Sequence, residues 1–146
     1  MNLDPIHAAI PHRAPFLLVD AIVRQSDDRI VCRKTFTGEE FWYRGHYPNF
    51  PLTPGVLLCE AAMQAGAILL SQHIAESGSR VPVATRMMDV KFKRMVRPGE
   101  RIEMDVHLDE RLAAAFFLTA KVCVEGQLAV RFRFACTLAE YDVPAG

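Results

Sequence analysis

The stretch from Gly55 to about Ser77 most constrains the fold, because it combines helix-forming residues with an almost continuous apolar surface. It is rich in Ala, Leu, Met and Gln, and Thr53 and Pro54 stand where an N-cap and a first helical residue are expected. Within its apolar part, only Glu60 and Gln64 are polar. A helix without a wide polar face has to be buried on every side. Its apolar run is too short for a bilayer, which needs about 20 residues.

Extended segments precede and follow this helix, and turn-forming or charged residues separate them. Two strands, one helix and several further strands predict an antiparallel sheet of the α+β class. Because one flat sheet covers only part of such a helix, we expect the sheet to wrap around it and a second subunit to cover the rest. After a short helical turn near Pro5 to Ala9, the predicted strands are Ala21 to Gln25, Ile30 to Phe36, Val81 to Ala84, Asp89 to Arg94, Ile102 to Asp109, Ala115 to Val124 and Leu128 to Ala139.

Composition and charge exclude several classes of protein. With 146 residues, 51% of them hydrophobic, the chain is expected to form one domain over residues 1–146. The 17 basic and 17 acidic residues cancel without a block of like charge, so we predict no nucleic-acid or membrane partner.

The four cysteines lack CxxC spacing and nearby histidines, which predicts free buried thiols and no metal site. The start of the chain does not resemble a signal peptide, so a cytoplasmic location is expected.

Two groups suited to proton transfer stand close together in the sequence. Glu60 and Gln64 are spaced i, i+4 and share one face of the apolar helix. A carboxylate in such surroundings either has a partner or stays protonated, and a protonated carboxyl group is a proton donor. His46 lies in a loop that Pro48, Pro51 and Pro54 restrict, and histidine is the natural base near neutral pH. A capping role for His46 and a structural role for Glu60 are the alternatives.

The start of the helix supplies a third group. Amides of the first helical turn have no partner within the helix, and glycine leaves its amide open to a ligand. If Thr53 caps the Val56 amide, the Gly55 amide stays free to polarise a thioester carbonyl. A base at His46, an acid at Glu60 and an amide donor at Gly55 suffice for β-elimination of water next to a thioester, and that chemistry requires no metal or cofactor.

Three stretches of the chain carry a resemblance to a known family: PHRAPFLLVD, GHYPNFPLTPGVLLCEAAMQAG and VKFKRMVRPGE. They are similar to the signature stretches of the 3-hydroxyacyl-[acyl-carrier-protein] dehydratases of bacterial fatty-acid synthesis, the FabZ type. The likeness is collinear from about Ile10 to Ala139. In it, His46, Gly55, Glu60 and Gln64 stand at the positions of the catalytic histidine, the amide donor, the catalytic glutamate and its glutamine neighbour.

The resemblance implies a hotdog fold, an antiparallel sheet wrapped around one long central helix. It also implies a homodimer or a trimer of dimers, in which each active site takes its histidine from one subunit and its glutamate from the other. The substrate would be a thioester of acyl carrier protein or coenzyme A. Related dehydratase-isomerases carry aspartate in place of Glu60 and cysteine in place of Val56, so we expect dehydration without isomerisation.

One departure from the family concerns the acyl tunnel. Arg86 and Met88 replace a glycine and an acid in a stretch that usually reads AGID, which is expected to narrow or reroute the tunnel. The predicted substrate-binding residues are Gln64, Phe50, Pro54, Val56, Arg86, Met87, Met88 and Phe92.

Two other functions fit parts of the pattern. A thioesterase on the same fold would use a helix carboxylate to activate water, but His46 and Gly55 would then have no clear task. A non-catalytic acyl-binding subunit of a larger complex would keep the apolar helix without needing His46 or Glu60.

Overall fold

The computed structural model describes residues 2–74 and 80–140, which form one six-stranded sheet with a long helix packed against it. The helices are α1 (Asp4–Ala9), α2 (Gly55–Ser71) and a short 3₁₀ helix (Phe41–Arg44), and the strands are β1 (Ala21–Gln25), β2 (Arg29–Thr35), β3 (Arg80–Phe92), β4 (Arg101–Leu112), β5 (Ala115–Val124) and β6 (Gln127–Glu140).

The strand order is β1-β2-β4-β5-β6-β3, and every neighbouring pair is antiparallel. Helix α2 contacts each strand from β2 to β6, so the sheet curves around it. This confirms the predicted α+β architecture of an antiparallel sheet wrapped around one central helix. Strand β3 is at an edge of the sheet, which leaves one side of its backbone without a partner strand in the described chain.

Small side chains let α2 approach the sheet closely. Ala61, Ala62 and Ala65 are fully buried, and a Cβ atom on Gly66 would lie 2.8 Å from Cζ of Phe134. The large residues of the core come from the strands, from α2 itself and from segments outside them, among them Ile6, Leu18 and Trp42. Burial of each leucine or isoleucine on α2 contributes about 1.5–3 kcal/mol to folding. The expected all-round burial of the helix is therefore observed, except at its start, where Val56 is 71% exposed.

Strand β3 differs from the prediction of two separate strands. It runs continuously from Arg80 to Phe92 and pairs with β6, but its register shifts between Ala84 and Arg86 and again between Met88 and Lys91. At the second shift Asp89 has a φ of 54° and is paired with Arg133. The irregular pattern of this segment thus reflects bulges that keep the pairing, rather than an interruption of the strand.

The ends of α2 also correct the prediction. The helix ends at Ser71, and the predicted continuation to Ser77 lies partly outside the described residues, as does the break at 77–79. At the other end Pro54 is the N-cap rather than the first helical residue. The preceding segment 45–54 contains no helix or strand, as its prolines predict.

Candidate active site

The first turn of α2 presents unpaired amides. Thr53 does not cap the helix, contrary to the prediction, because its buried hydroxyl lies 2.5 Å from the Tyr43 hydroxyl. The Pro54 carbonyl accepts from the amides of Leu57 and Leu58. Within the described chain, the amides of Gly55 and Val56 have no hydrogen-bond partner. The helix start therefore offers two donors, strengthened by the helix dipole, where the sequence predicted one.

A cavity of about 630 Å³ opens beside these amides. Gly55, Val56 and Phe92 line it, together with Leu52 and Val96, so its wall is mostly apolar. The Phe92 ring lies directly against the helix start: a Cβ atom on Gly55 would be 2.6 Å from one of its carbons. Glycine at position 55 therefore leaves room for the ring to lie against the helix start, and the cavity suits an apolar chain next to a polarised carbonyl.

His46 is held at the edge of this cavity by a backbone contact. Its Nδ1 lies 3.0 Å from the carbonyl oxygen of Leu52, which lines the cavity. A carbonyl only accepts hydrogen bonds, so in the neutral imidazole Nδ1 carries the hydrogen and Nε2 carries the lone pair. The next residue, Tyr47, has a φ of 52° and packs edge-on against the imidazole at 4.8 Å. The loop thus fixes both the position and the tautomer of a candidate base.

Glu60 has the partner that its apolar surroundings require. Its Oε2 accepts a hydrogen bond of 2.9 Å from Nε2 of Gln64, as the i, i+4 spacing predicts. Its side chain is 25% exposed, so the carboxyl group is accessible. The described contacts of Glu60 do not include His46, whose imidazole contacts Leu52 before the helix start.

Gln64 is oriented by the segment that precedes β1. Its Oε1 accepts from the amide of Leu18 at 2.7 Å, and its Nε2 also donates to the carbonyl of Phe16 at 2.9 Å. Both amide hydrogens and the amide oxygen are thus engaged, and the residue is 1% exposed. The predicted substrate contact of Gln64 has no free polar group to make it, and the geometry instead supports a role in holding Glu60.

His12 is a neighbour of the site whose contact with Glu60 was not predicted from the sequence. Its Nε2 lies 3.9 Å from Oε2 of Glu60, on the same carboxyl oxygen that Gln64 contacts. The two residues are 48 positions apart, and no local spacing relates them. The only available signal was that His12 belongs to the first of the three signature stretches.

The remaining predicted substrate-binding residues fall into two groups. Val56 and Phe92 line the cavity, and Phe50 and Pro54 belong to the loop that leads to it. The Arg97 guanidinium stacks on the Phe50 ring at 4.7 Å. Arg86, Met87 and Met88 do not line this cavity in the described chain. They lie on the edge strand β3, where Met87 is 44% exposed.

The residues near this site do not favour a cysteine nucleophile or a metal centre. Burial raises the pKa of the neighbouring Cys59 thiol to about 11, which keeps it protonated and a poor nucleophile. In the described ranges, no three His, Cys, Asp or Glu side chains are placed to hold a metal ion. No helix among residues 2–74 and 80–140 is long and apolar enough to cross a membrane.

Sequence comparison relates nearly the whole chain to one family. The family model described as FabA-like domain matches residues 10–133. A relative from Streptococcus pyogenes serotype M3, named 3-hydroxyacyl-[acyl-carrier-protein] dehydratase FabZ, is 40% identical over 93% of this chain and 99% of its own length. A relative of the same name from Solibacter usitatus is 31% identical over 97% of this chain and 88% of its own.

Structural comparison identifies the fold. The dehydratase heterocomplex ApeI:P from Xenorhabdus doucetiae superimposes with a TM-score of 0.77 at 17% identity, covering 93% of this chain and 91% of that one. The E. coli PaaI protein gives a TM-score of 0.65 at 15% identity, covering 80% and 81%. These likenesses confirm the hotdog fold.

Proposed function

The chain belongs to the FabA-like domain family, and we propose that it dehydrates 3-hydroxyacyl thioesters of acyl carrier protein with His46 as base and Glu60 as acid. Dehydratase activity of the FabZ class follows from the relatives, which match over nearly their full lengths. The observation that carries the proposed mechanism is the contact of His46 Nδ1 with the Leu52 carbonyl, which leaves Nε2 free within the described residues and ties the imidazole to the segment that leads into the unpaired amides of the helix start.

The reaction requires three coordinated steps. Nε2 of His46 removes the C2 proton, and the electrons of that bond form the double bond between C2 and C3. The amides of Gly55 and Val56 stabilise the negative charge that builds on the thioester oxygen. Glu60 gives its proton to the C3 hydroxyl, which leaves as water and yields the trans-2-enoyl thioester. Return of a proton from His46 to Glu60 through solvent restores both groups.

A second copy of the chain completes the site in this proposal. His46 and Glu60 do not contact each other within the described chain, although the elimination needs both at adjacent carbons. Strand β3 offers an open edge of 13 residues, and the exposed side chains of Val83 and Met87 lie along it. Open apolar edges pair with another strand. Pairing of two β3 strands would bring Arg86, Met87 and Met88 into a shared acyl tunnel. Assembly into a trimer of dimers and a cytoplasmic location stay predictions from the sequence.

Basic residues near the cavity suit an acidic carrier protein. Lys93 and Arg97 are exposed, and Arg97 stacks on the Phe50 ring. Arg94 is less available, because Glu100 and Gln127 bind its guanidinium group. We therefore assign carrier contact to Lys93 and Arg97 rather than to Arg94. Coenzyme A is the alternative carrier, and a comparison of kcat/KM on the two thioesters decides between them.

Mixed dimers test the shared site directly. The His46→Ala and Glu60→Ala chains are produced together with different affinity tags, and complexes containing both are isolated. In a symmetric dimer with shared sites, one site of a mixed pair is intact and the other lacks both groups. We expect the mixed complex to form enoyl thioester at about one quarter to one half of the wild-type rate, while each parent is inactive.

Other outcomes would contradict this arrangement or the proposed function. Mixed complexes as inactive as their parents would place His46 and Glu60 of one site in the same subunit. Full activity of both parents would remove both side chains from the mechanism, and a wild-type protein without turnover would be a non-catalytic subunit. Release of free thiol without enoyl absorbance would favour a thioesterase.

Gly55→Ala should impair catalysis at the helix start without destabilising the fold. The added methyl group would lie 2.6 Å from the Phe92 ring, which is 54% exposed and has to swing into the cavity. We expect kcat/KM to fall about tenfold or more, with little change in the thermal unfolding temperature, because the methyl group and the displaced ring would obstruct an amide whose loss as an oxyanion donor costs up to about 10³-fold. Steady-state kinetics and calorimetry measure the two effects.

Gly66→Ala is the matched control. Its methyl group would meet the fully buried Phe134 ring, so we expect a loss of about 1–3 kcal/mol in stability. Its kcat/KM at a temperature where it is folded should stay near wild type. Equal losses of activity in both variants would show that Gly55 acts only through packing.

A further inference from the structure

His12 contacts the proposed acid from the side opposite its helix. The segment that carries it supplies three contacts to the pair on α2: the backbone of Phe16 and Leu18 orients Gln64, and the His12 imidazole lies 3.9 Å from Oε2 of Glu60. The imidazole stacks near the Phe16 ring, and its buried Nδ1 has no hydrogen-bond partner in the described chain. Gln64 and His12 both approach Oε2, whereas Oε1 of Glu60 makes no hydrogen bond within the described residues.

The surroundings of His12 disfavour the charged form of its imidazole. Burial lowers its pKa from the usual value, the nearby Glu60 carboxylate opposes this effect, and Arg13 adds to it. The Arg13 guanidinium is directed to the carbonyl oxygens of His7, Ile10 and His12 itself, so it does not pair with Glu60. His12 also borders a cavity of about 930 Å³ whose other titratable groups are His7, Arg13 and Arg80.

A positive charge at position 12 would act directly on the Glu60 carboxyl group. A cation within 4–6 Å of a carboxyl group favours its ionised form, and an ionised Glu60 has no proton to give to a leaving hydroxyl. An uncharged imidazole fills the same space without that effect. We propose that His12 is a positioning residue of the dehydration: its imidazole packs beside the Glu60 carboxyl at a place where a permanent cation would hinder delivery of the proton. This inference rests on the proposed function, in which Glu60 is the acid.

The test compares charged and uncharged replacements. His12→Lys and His12→Arg should move the alkaline limb of the kcat profile to lower pH and reduce kcat at neutral pH about tenfold, with KM nearly unchanged. His12→Gln, which is polar and uncharged, should keep kcat within about threefold of wild type. His7→Lys introduces the same charge into the same cavity from α1 and should leave the profile unchanged. The adjoining cavity gives the longer side chains room, and thermal unfolding checks that each variant folds.

The Glu60→Gln background separates this inference from the proposed function. There, His12→Lys and His12→Gln should have the same residual turnover, because no acid remains for the charge to affect. A wild-type pH profile in both charged variants would overturn the role of His12, as would an equal loss in the lysine and glutamine variants. Wild-type turnover of Glu60→Gln alone would instead overturn the proposed function.

Discussion

His46→Ala should lower kcat by about 10³- to 10⁴-fold, because it removes the proposed base for the C2 proton. The loss should fall on kcat rather than KM, since the imidazole acts on the reacting proton and the cavity beside the helix start stays intact. His46 is only half-buried and belongs to a loop, so the unfolding temperature should change little. Enoyl absorbance under steady-state conditions and a thermal melt measure the two quantities.

Two further variants define what His46 contributes. His46→Asn keeps a group able to donate to the Leu52 carbonyl but has no nitrogen that accepts a proton, so it should be as inactive as the alanine variant. His73→Ala removes an imidazole whose Nε2 contacts the Asp27 carbonyl away from the site, and it should be fully active. Substantial turnover in the asparagine variant would assign His46 a structural role at the loop instead of proton transfer.

Much of the fold could be predicted because its signals are local. The composition of α2 is that of a buried helix. The ends of strands β1 and β5 were predicted as observed, because turn-forming residues flank both strands. Glu60 and Gln64 were paired correctly, since their i, i+4 spacing fixes their relation within one helix. These features depend on neighbours within a few residues, and the sequence displays them directly.

The features that were missed depend on distant parts of the chain. Threonine is a residue type that commonly caps helices, but the hydroxyl of Thr53 is hydrogen-bonded to the hydroxyl of Tyr43 from the preceding 3₁₀ helix. The bulges that keep β3 continuous exist because β6 provides a partner along its length. His12 reaches Glu60 only because the segment before β1 lies across α2. Tertiary contacts decide such details, and a single sequence contains no local record of them.

Glu60→Gln should lower kcat about 10³-fold with little change in KM. The replacement has the same shape, and its amide oxygen can still accept the hydrogen bond from Gln64 at the place of Oε2. Its NH₂ group then faces the substrate hydroxyl and binds it, but an amide cannot release a proton to a leaving group. Glu60→Asp keeps an acid on a shorter side chain and should retain more turnover than the glutamine variant. The reverse order would show that the length of the side chain matters more than its proton.

A substrate that needs no acid distinguishes the roles proposed for His46 and Glu60. Chloride leaves carbon without being protonated, so a 3-chloroacyl thioester requires the base at His46 and the amides of the helix start but not the proton of Glu60. Glu60→Gln should therefore form enoyl product from this substrate at close to the wild-type rate, while His46→Ala stays inactive on it. Recovery in both variants, or in neither, would contradict the division of roles. The 3-chloroacyl substrate bypasses only the step that delivers a proton to the leaving group. Recovery of Glu60→Gln alone would therefore assign proton delivery to Glu60 and proton removal to His46.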